Sequence, residues 1–180
     1  MHGDLQRIFE EKLVVGPLGL DDFSSVRHLH AKALSGQTLE VLSQEEIDAF
    51  LRLVGSPAYS DILVKEDVHG AWLDGELIGT ASWQATMGAN STARIGSVFV
   101  RHPRFGIGRR LVAEVESRAR QSGFLRYSAW ATTNAVPFFE RLGYTQVSRG
   151  IKTLAPDCAL PVTFLRKDVA PPARSSTTLM

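Results

Sequence analysis

Apolar positions along this chain change period several times, and each change marks an element. Lys12–Val15 predicts a short strand ended by Gly16 and Pro17. From Asp21 the apolar residues Phe23, Val26, Leu29, Ala33 and Leu34 follow helical spacing, and Gly36 marks the stop. Ser43 with Glu46 forms a capping box, followed by Ile47, Phe50, Leu51 and Val54 on one face of a second helix that ends at Gly55, Ser56 and Pro57. The period then shortens. His69–Leu73 and Glu76–Trp83 read as strands joined by Asp74-Gly75, a strong hairpin signal. A polar turn at Gly88–Thr92 leads to a strand over Arg94–Val100. Helical spacing returns from Gly108 to Ser122, burying Leu111, Val112, Val115 and Ala119, with Gly123 as the stop. Tyr127–Ala131 predicts a strand, Pro137–Leu142 a short helix, and Tyr144–Leu154 and Val162–Lys167 two final strands. The order β-α-α-β-β-β-α-β-α-β-β predicts a mixed α/β sheet rather than a repeating βα ladder. Residues 1–169 make one domain, and the Pro- and Ser/Thr-rich residues 170–180 predict a disordered tail.

Composition narrows the classes. The 180 residues are 44% hydrophobic and 22% charged, ordinary for a globular domain. A net charge of +1 gives no global field for nucleic acid or an acidic membrane, so neither is an expected partner. The one cysteine, Cys158, excludes an intramolecular disulfide and a cysteine-built zinc site. The N-terminus has no signal-peptide pattern and no apolar run is long enough to span a membrane, which makes a cytoplasmic protein the expectation.

Locally the charge is uneven. Arg101, His102, Arg104, Arg109 and Arg110 fall within ten residues that contain no acid. They flank Gly106-Ile107-Gly108, which follows a strand and opens a helix. A helix start already presents positive partial charge, so cations there are unfavourable unless an anion is the guest. The two glycines admit that anion to the backbone N–H groups. The segment reads as a phosphate or pyrophosphate cradle. It is not a dinucleotide fingerprint, since position 111 is leucine, and it has no Gly-Lys-Ser/Thr.

A second element lies about thirty residues on, Thr133–Tyr144, whose Val136, Phe138, Phe139 and Leu142 alone would be read as core. Taken together, the two elements resemble the GCN5-related N-acetyltransferase family. Its coenzyme motif is Q/R-x-x-G-x-G/A after a central strand, and its next helix commonly reads N-A-V-P-F-Y-E-x-L-G-F/Y. The close resemblance covers Glu76 to Tyr144.

The resemblance implies a single-domain α/β acyl-CoA N-acyltransferase fold. Its mixed, mostly antiparallel sheet is splayed between the central strands Arg94–Val100 and Tyr127–Ala131 and flanked by helices. It implies acetyl-CoA as co-substrate, no metal, and transfer of the acetyl group to a primary amine by direct attack in a ternary complex. The acceptor would be a small molecule or an exposed amino group, and a homodimer is a family-level expectation. Carried over by position, the Val98 N–H points at the thioester carbonyl, and the backbone of Val98, Phe99 and Val100 pairs with the pantetheine arm. Phe105, Gly106, Ile107, Gly108, Arg109 and Arg110 surround the pyrophosphate. Asn134, Phe138 and Phe139 wall the far side of the coenzyme.

Three departures accompany the resemblance. Phe139 replaces the usual tyrosine that protonates the departing thiolate. Pro103, which has no N–H, stands three residues before Gly106 where Gln or Arg is usual, and Arg104 is expected to offset the lost donor. Arg94 stands where many relatives carry a glutamate base. The general acid and base are therefore unassigned, and two alternatives stay open: a non-catalytic CoA-binding sensor or regulatory domain, or transfer of another short acyl group.

Other tempting residues have plain explanations. His28 and His30 are two apart and face different sides of a helix, unlike an i, i+4 metal pair. Ser97 is a poor base unaided, and His69, Trp83 and Trp130 lie on strands. Cys158 reads as an ordinary thiol. Residues that select the acceptor are expected in Ser35–Ser60 and Gly150–Pro161. There Glu40, Glu45, Glu46 and Asp48 suit either a cationic acceptor or a solvated helix start.

Overall fold

The alternating segments pair into one seven-stranded sheet in the computed structural model, which describes residues 2–36, 41–88, 92–103 and 105–170. The strands are β1 (Val14–Pro17), β2 (Asp67–Leu73), β3 (Glu76–Thr86), β4 (Thr92–Val100), β5 (Arg126–Ala131), β6 (Thr145–Ala155) and β7 (Cys158–Asp168). Their spatial order is β1-β2-β3-β4-β5-β7-β6. Every neighbouring pair is antiparallel except β4 and β5, which run parallel. The β2–β3 turn has φ of 49° at Asp74 and 81° at Gly75, the positive pair that matches the twist of a tight hairpin.

Six α-helices flank the sheet among the described residues: α1 (His2–Lys12), α2 (Phe23–Gly36), α3 (Gln44–Val54), α4 (Pro57–Val64), α5 (Ile107–Gln121) and α6 (Val136–Arg141). The capping box forms as expected, with the Glu46 amide donating to Ser43 Oγ at 3.2 Å and the Ser43 amide to Glu46 Oε2 at 2.8 Å. Helix α5 lies over Ala71, Ala81, Ala93 and Ala129, four fully buried residues whose small side chains let a helix approach the sheet closely. Helices α2, α3 and α4 cover the opposite face through Val26, Leu29, Leu53, Leu63 and their neighbours. No helix among the described residues is long and apolar enough to cross a membrane.

Two helices depart from the sequence expectation. Helix α1 occupies the polar N-terminal stretch. It has little apolar face to read, since Leu5 and Ile8 stay exposed, and it is held by Phe9 stacked on Phe105 at 4.6 Å. Helix α4 begins at Pro57, where the sequence suggested only a stop. Pro is well placed in a first turn. The Arg27 guanidinium donates to the carbonyls of Val54 at 2.6 Å and Ser56 at 2.7 Å, tying the corner between α3 and α4. Of the predicted tail, residues 170–180, all but the first residue lie outside the described residues.

Candidate active site

The parallel ladder between β4 and β5 begins at Thr92–Arg126 and stops at Ile95–Ala129, although β4 continues to Val100 and β5 to Ala131. The cause lies one residue further on. Ser82 faces Gly96 and Thr80 faces Phe99, so Ser97 and Val98 together oppose Ala81 alone. This is a β-bulge, which bends and twists its strand away from the neighbour. Ser97 takes a left-handed φ of 48°, a conformation that disfavours a side chain. Past the bulge the Arg101 amide bonds the Ile78 carbonyl at 2.8 Å, and antiparallel alternation then turns the N–H and C=O of Val100 toward the gap.

A buried chain of hydrogen bonds holds the bulge. Thr80 Oγ1 donates to the Ser97 carbonyl at 2.8 Å, which uses its one proton. Its contact with His30 Nε2 at 2.7 Å must therefore be one in which the imidazole donates. His30 is fully buried, and desolvation pushes its pKa down to about 3, so the ring is neutral with its proton on Nε2. Nδ1 then accepts from the Tyr59 hydroxyl at 2.5 Å. The direction of the whole chain follows from its last bond. Phe99 stacks on the same imidazole at 4.0 Å.

Glu66 stands on the same side of the bulge, between α4 and β2. Its Oε2 accepts from Ser82 Oγ at 2.8 Å and from Ser97 Oγ at 2.7 Å. Oε1 has no hydrogen bond to a described residue, and it lies 4.0 Å from where a Cβ on Gly96 would be. Sequence reasoning missed Glu66, because in the run Lys65-Glu66-Asp67 it looks like one of three solvated charges. Only the fold of α4 brings it to β4. Ser97, doubted as an unaided base, is a donor to this carboxylate.

The basic turn lies at the mouth of the gap. Gly106, at φ 74°, caps α5, and the Arg110 amide makes the first intrahelical bond to the Gly106 carbonyl at 3.1 Å. The amides of Ile107, Gly108 and Arg109 precede that bond and are the unspent donors of a helix start. Arg109 and Arg110 are exposed, whereas the Ile107 side chain is buried under β3. A Cβ on Gly108 would sit 3.3 Å from the Phe138 ring and 3.4 Å from Val100, so this glycine lets three elements converge. Arg104 lies outside the described residues.

Two expected coenzyme contacts are differently placed. The Phe105 ring is turned onto Phe9 of α1, which leaves only its backbone for the turn. Phe139 is a core residue, 4% exposed, packed edge-on between Phe138 and Tyr144. Adjacent residues on a helix point about 100° apart, so Phe138 and Phe139 cannot both face one cleft. Phe138 is the wall and Phe139 its backing. Asn134 is exposed beside the gap, with Oδ1 accepting from Thr132 Oγ1 at 2.7 Å. No tyrosine replaces the missing phenol: the hydroxyls of Tyr59, Tyr127 and Tyr144 are bonded to His30, the Glu116 carbonyl and the Glu116 carboxylate.

Arg94 and Ser128 pair across β4 and β5, and Trp130 follows on the same face just past the last rung. The Arg94 guanidinium stands over the indole at 4.1 Å, and Lys152 Nζ from β6 stands over it at 3.7 Å. Outside this region, His28 lies on the exposed side of α2, in a surface depression of about 550 Å³ between that helix and the β2–β3 turn. Cys158 is buried, and burial pushes its thiol up.

Comparison with known proteins agrees with this geometry. Residues 38–153 match the family model described as an acetyltransferase (GNAT) domain. No curated protein sequence matches the chain. Among solved structures, a GCN5-related N-acetyltransferase from Rhodopseudomonas palustris superimposes with a TM-score of 0.75 at 21% identity, over 87% of this chain and 95% of that one. A PaiA N-acetyltransferase from Thermoplasma acidophilum, in complex with coenzyme A, gives 0.62 at 15% identity, over 87% and 98%. YncA from Salmonella typhimurium, with its cofactor acetyl-CoA, gives 0.61 at 17%, over 90% and 96%. These likenesses share the fold, and the matched model spans most of the chain. A splayed parallel pair, a bulge at the splay and a glycine-opened helix at its mouth thus have a family setting: the chain belongs to the GCN5-related N-acetyltransferase family.

Proposed function

We propose that this protein transfers the acetyl group of acetyl-CoA to a primary amine inside the β4–β5 gap. The observation that carries the reading is the premature end of the parallel ladder at Ile95–Ala129, directly beside the unspent amides of α5. An extended polar arm can take the place of the missing strand pairing, and a pyrophosphate suits the helix start. Gly108 supports the fit, because any side chain there would fill the space between Val100 and Phe138. Coenzyme A and acetyl-CoA in the two neighbours above point the same way.

In this reading the backbone of Val98 and Val100 binds the pantetheine arm, and the amides of Gly106–Arg110, with the Arg109 and Arg110 charges, hold the pyrophosphate. Asn134 and Phe138 close the far wall. Acetyl-CoA supplies the acetyl group as an activated thioester. The Val98 N–H faces away from β3, opposite the Ser97 carbonyl of its own trans peptide, and receives the negative charge that develops on the thioester oxygen. Glu66 Oε1 takes the proton of the incoming ammonium, directly or through one water. The amine nitrogen bonds to the acetyl carbon and gives its second proton to solvent, the carbon–sulfur bond breaks, and the thiolate takes a proton from solvent, since the three phenols are engaged elsewhere.

Thiol release from acetyl-CoA across a panel of amines tests the proposal, with calorimetry for coenzyme binding. Amine-dependent release supports it. Tight CoA binding without release from any amine would make the protein a CoA-binding sensor, and a faster reaction with a longer acyl-CoA would change the donor.

A further inference from the structure

Arg94, Trp130 and Lys152 form a cationic cluster that the acetyl-transfer steps do not use. Both cations stand over the one indole of Trp130 on β5, at 4.1 and 3.7 Å: Arg94 comes from β4 across the gap, and Lys152 reaches over from the outer strand β6. Neither forms an ion pair or a hydrogen bond with any described residue. Both are half-buried, so each has given up part of its hydration for a π-face alone. Burial lowers the pKa of each, and Arg94 lowers that of Lys152 further. The two like charges repel each other, Glu66 acts on Arg94 only at a distance without an ion pair, and an anion placed between the two cations would relieve the repulsion.

The location says what the anion belongs to. Arg94 is on the same face of β4 as Gly96, beside Glu66, whose charge acts on it. Trp130 follows the last β4–β5 rung, so the cluster borders the acceptor side of the bulge. A carboxylate at one end and two cations at the other fit a molecule carrying both an ammonium and an anion. Two acids of α3 are committed elsewhere, Glu46 to the helix cap and Asp48 to Gln44.

Resting on the acetyl-transfer reading, we infer that the acceptor is an amino acid: its ammonium goes to Glu66 and its carboxylate to Arg94 and Lys152 over Trp130. The guanidinium offers a planar pair of donors and the ammonium a point charge.

The test is kcat/KM for α-, β- and γ-amino acids, each paired with its carboxamide and its decarboxylated amine, with acetyl-CoA saturating. The best acid should exceed its amide by about tenfold or more, as one charge-assisted contact allows. Arg94→Gln and Lys152→Gln should each narrow that ratio, mainly by raising KM for the acid. Acids and amides used equally well, or aminoalkyl phosphates used better than carboxylates, would overturn this inference while leaving acetyl transfer in place. Thiol release from no amine at all would remove both. The wild-type ratio decides the matter even if a variant fails to fold.

Discussion

The hydroxyl of Thr80 donates at 2.8 Å to the carbonyl of Ser97, and that carbonyl belongs to the same peptide as the Val98 N–H. A hydrogen bond to one end of a peptide orients the plane and polarises its other end. The chain Tyr59–His30–Thr80–Ser97 thus ends on the donor assigned to the oxyanion. Thr80→Val, close to isosteric, should lower kcat by about tenfold to a hundredfold with a smaller change in KM for acetyl-CoA. Thr80→Ser should restore most of it. Steady-state kinetics of both variants checks the point, and equal kcat in the valine variant would remove Thr80 from the mechanism.

Glu66 is the carboxylate that accepts two hydroxyls on one oxygen and, through the other, no bond from a described residue. Glu66→Gln preserves much of that shape and removes the base. It should cost about 10²- to 10⁴-fold in kcat near neutrality, with a smaller change in KM for acetyl-CoA, as steady-state kinetics would read. An unchanged kcat would assign the base elsewhere.

His30 makes stability depend on pH in a defined sense. Its folded pKa, about 3, lies below the unfolded value of 6.5, so the unfolded chain takes up the proton first. The contribution is complete above pH 6.5 and is lost as pH falls toward 3, at about 1.4 kcal/mol per pH unit inside that window. From pH 7 to pH 5 the unfolding free energy from urea titration should fall further for the wild type than for His30→Gln, by about 1–2 kcal/mol.

Gly108 is where space at the coenzyme mouth can be removed without touching a polar group. Gly108→Val should push Phe138 and Val100 apart from α5 and weaken acetyl-CoA binding by about tenfold. Calorimetry reads this directly. Unaltered affinity would mean that the coenzyme passes elsewhere.

The fold was readable wherever one periodicity ran long enough. The Ser43 box, the Asp74-Gly75 turn and the stripe of α5 all appear as the chain spells them. Helix α1 was not readable, because its anchor is a single stacked pair, Phe9 on Phe105, and no local pattern announces a distant ring. The basic turn pointed to an anion from its own residues, and the likeness of Thr133–Tyr144 narrowed that anion to a coenzyme. Glu66 and His30 escaped for another reason. Their roles depend on residues 16 to 50 positions away, Ser82, Ser97 and Thr80, which meet only when β3 and β4 pair around the bulge. Phe139 was assigned to the cleft by its place in a motif, and the turn of α6 sends it to the core.

The short parallel ladder also divides the sheet into two halves. Strands β1 to β4 with α5 form one, and β5, β7 and β6 form the other, joined by the rungs from Thr92–Arg126 to Ile95–Ala129. Glu116 of α5 clasps them on one face, accepting from Tyr144 at 2.8 Å and from Lys167 at 3.0 Å. A molecule seated in the gap would act as a staple across this seam. At a hundredfold excess over its Kd it would add about 2.7 kcal/mol against opening. Amide exchange in β5 and β7 would then slow on binding, and the coenzyme that the enzyme consumes would also hold its two half-sheets together.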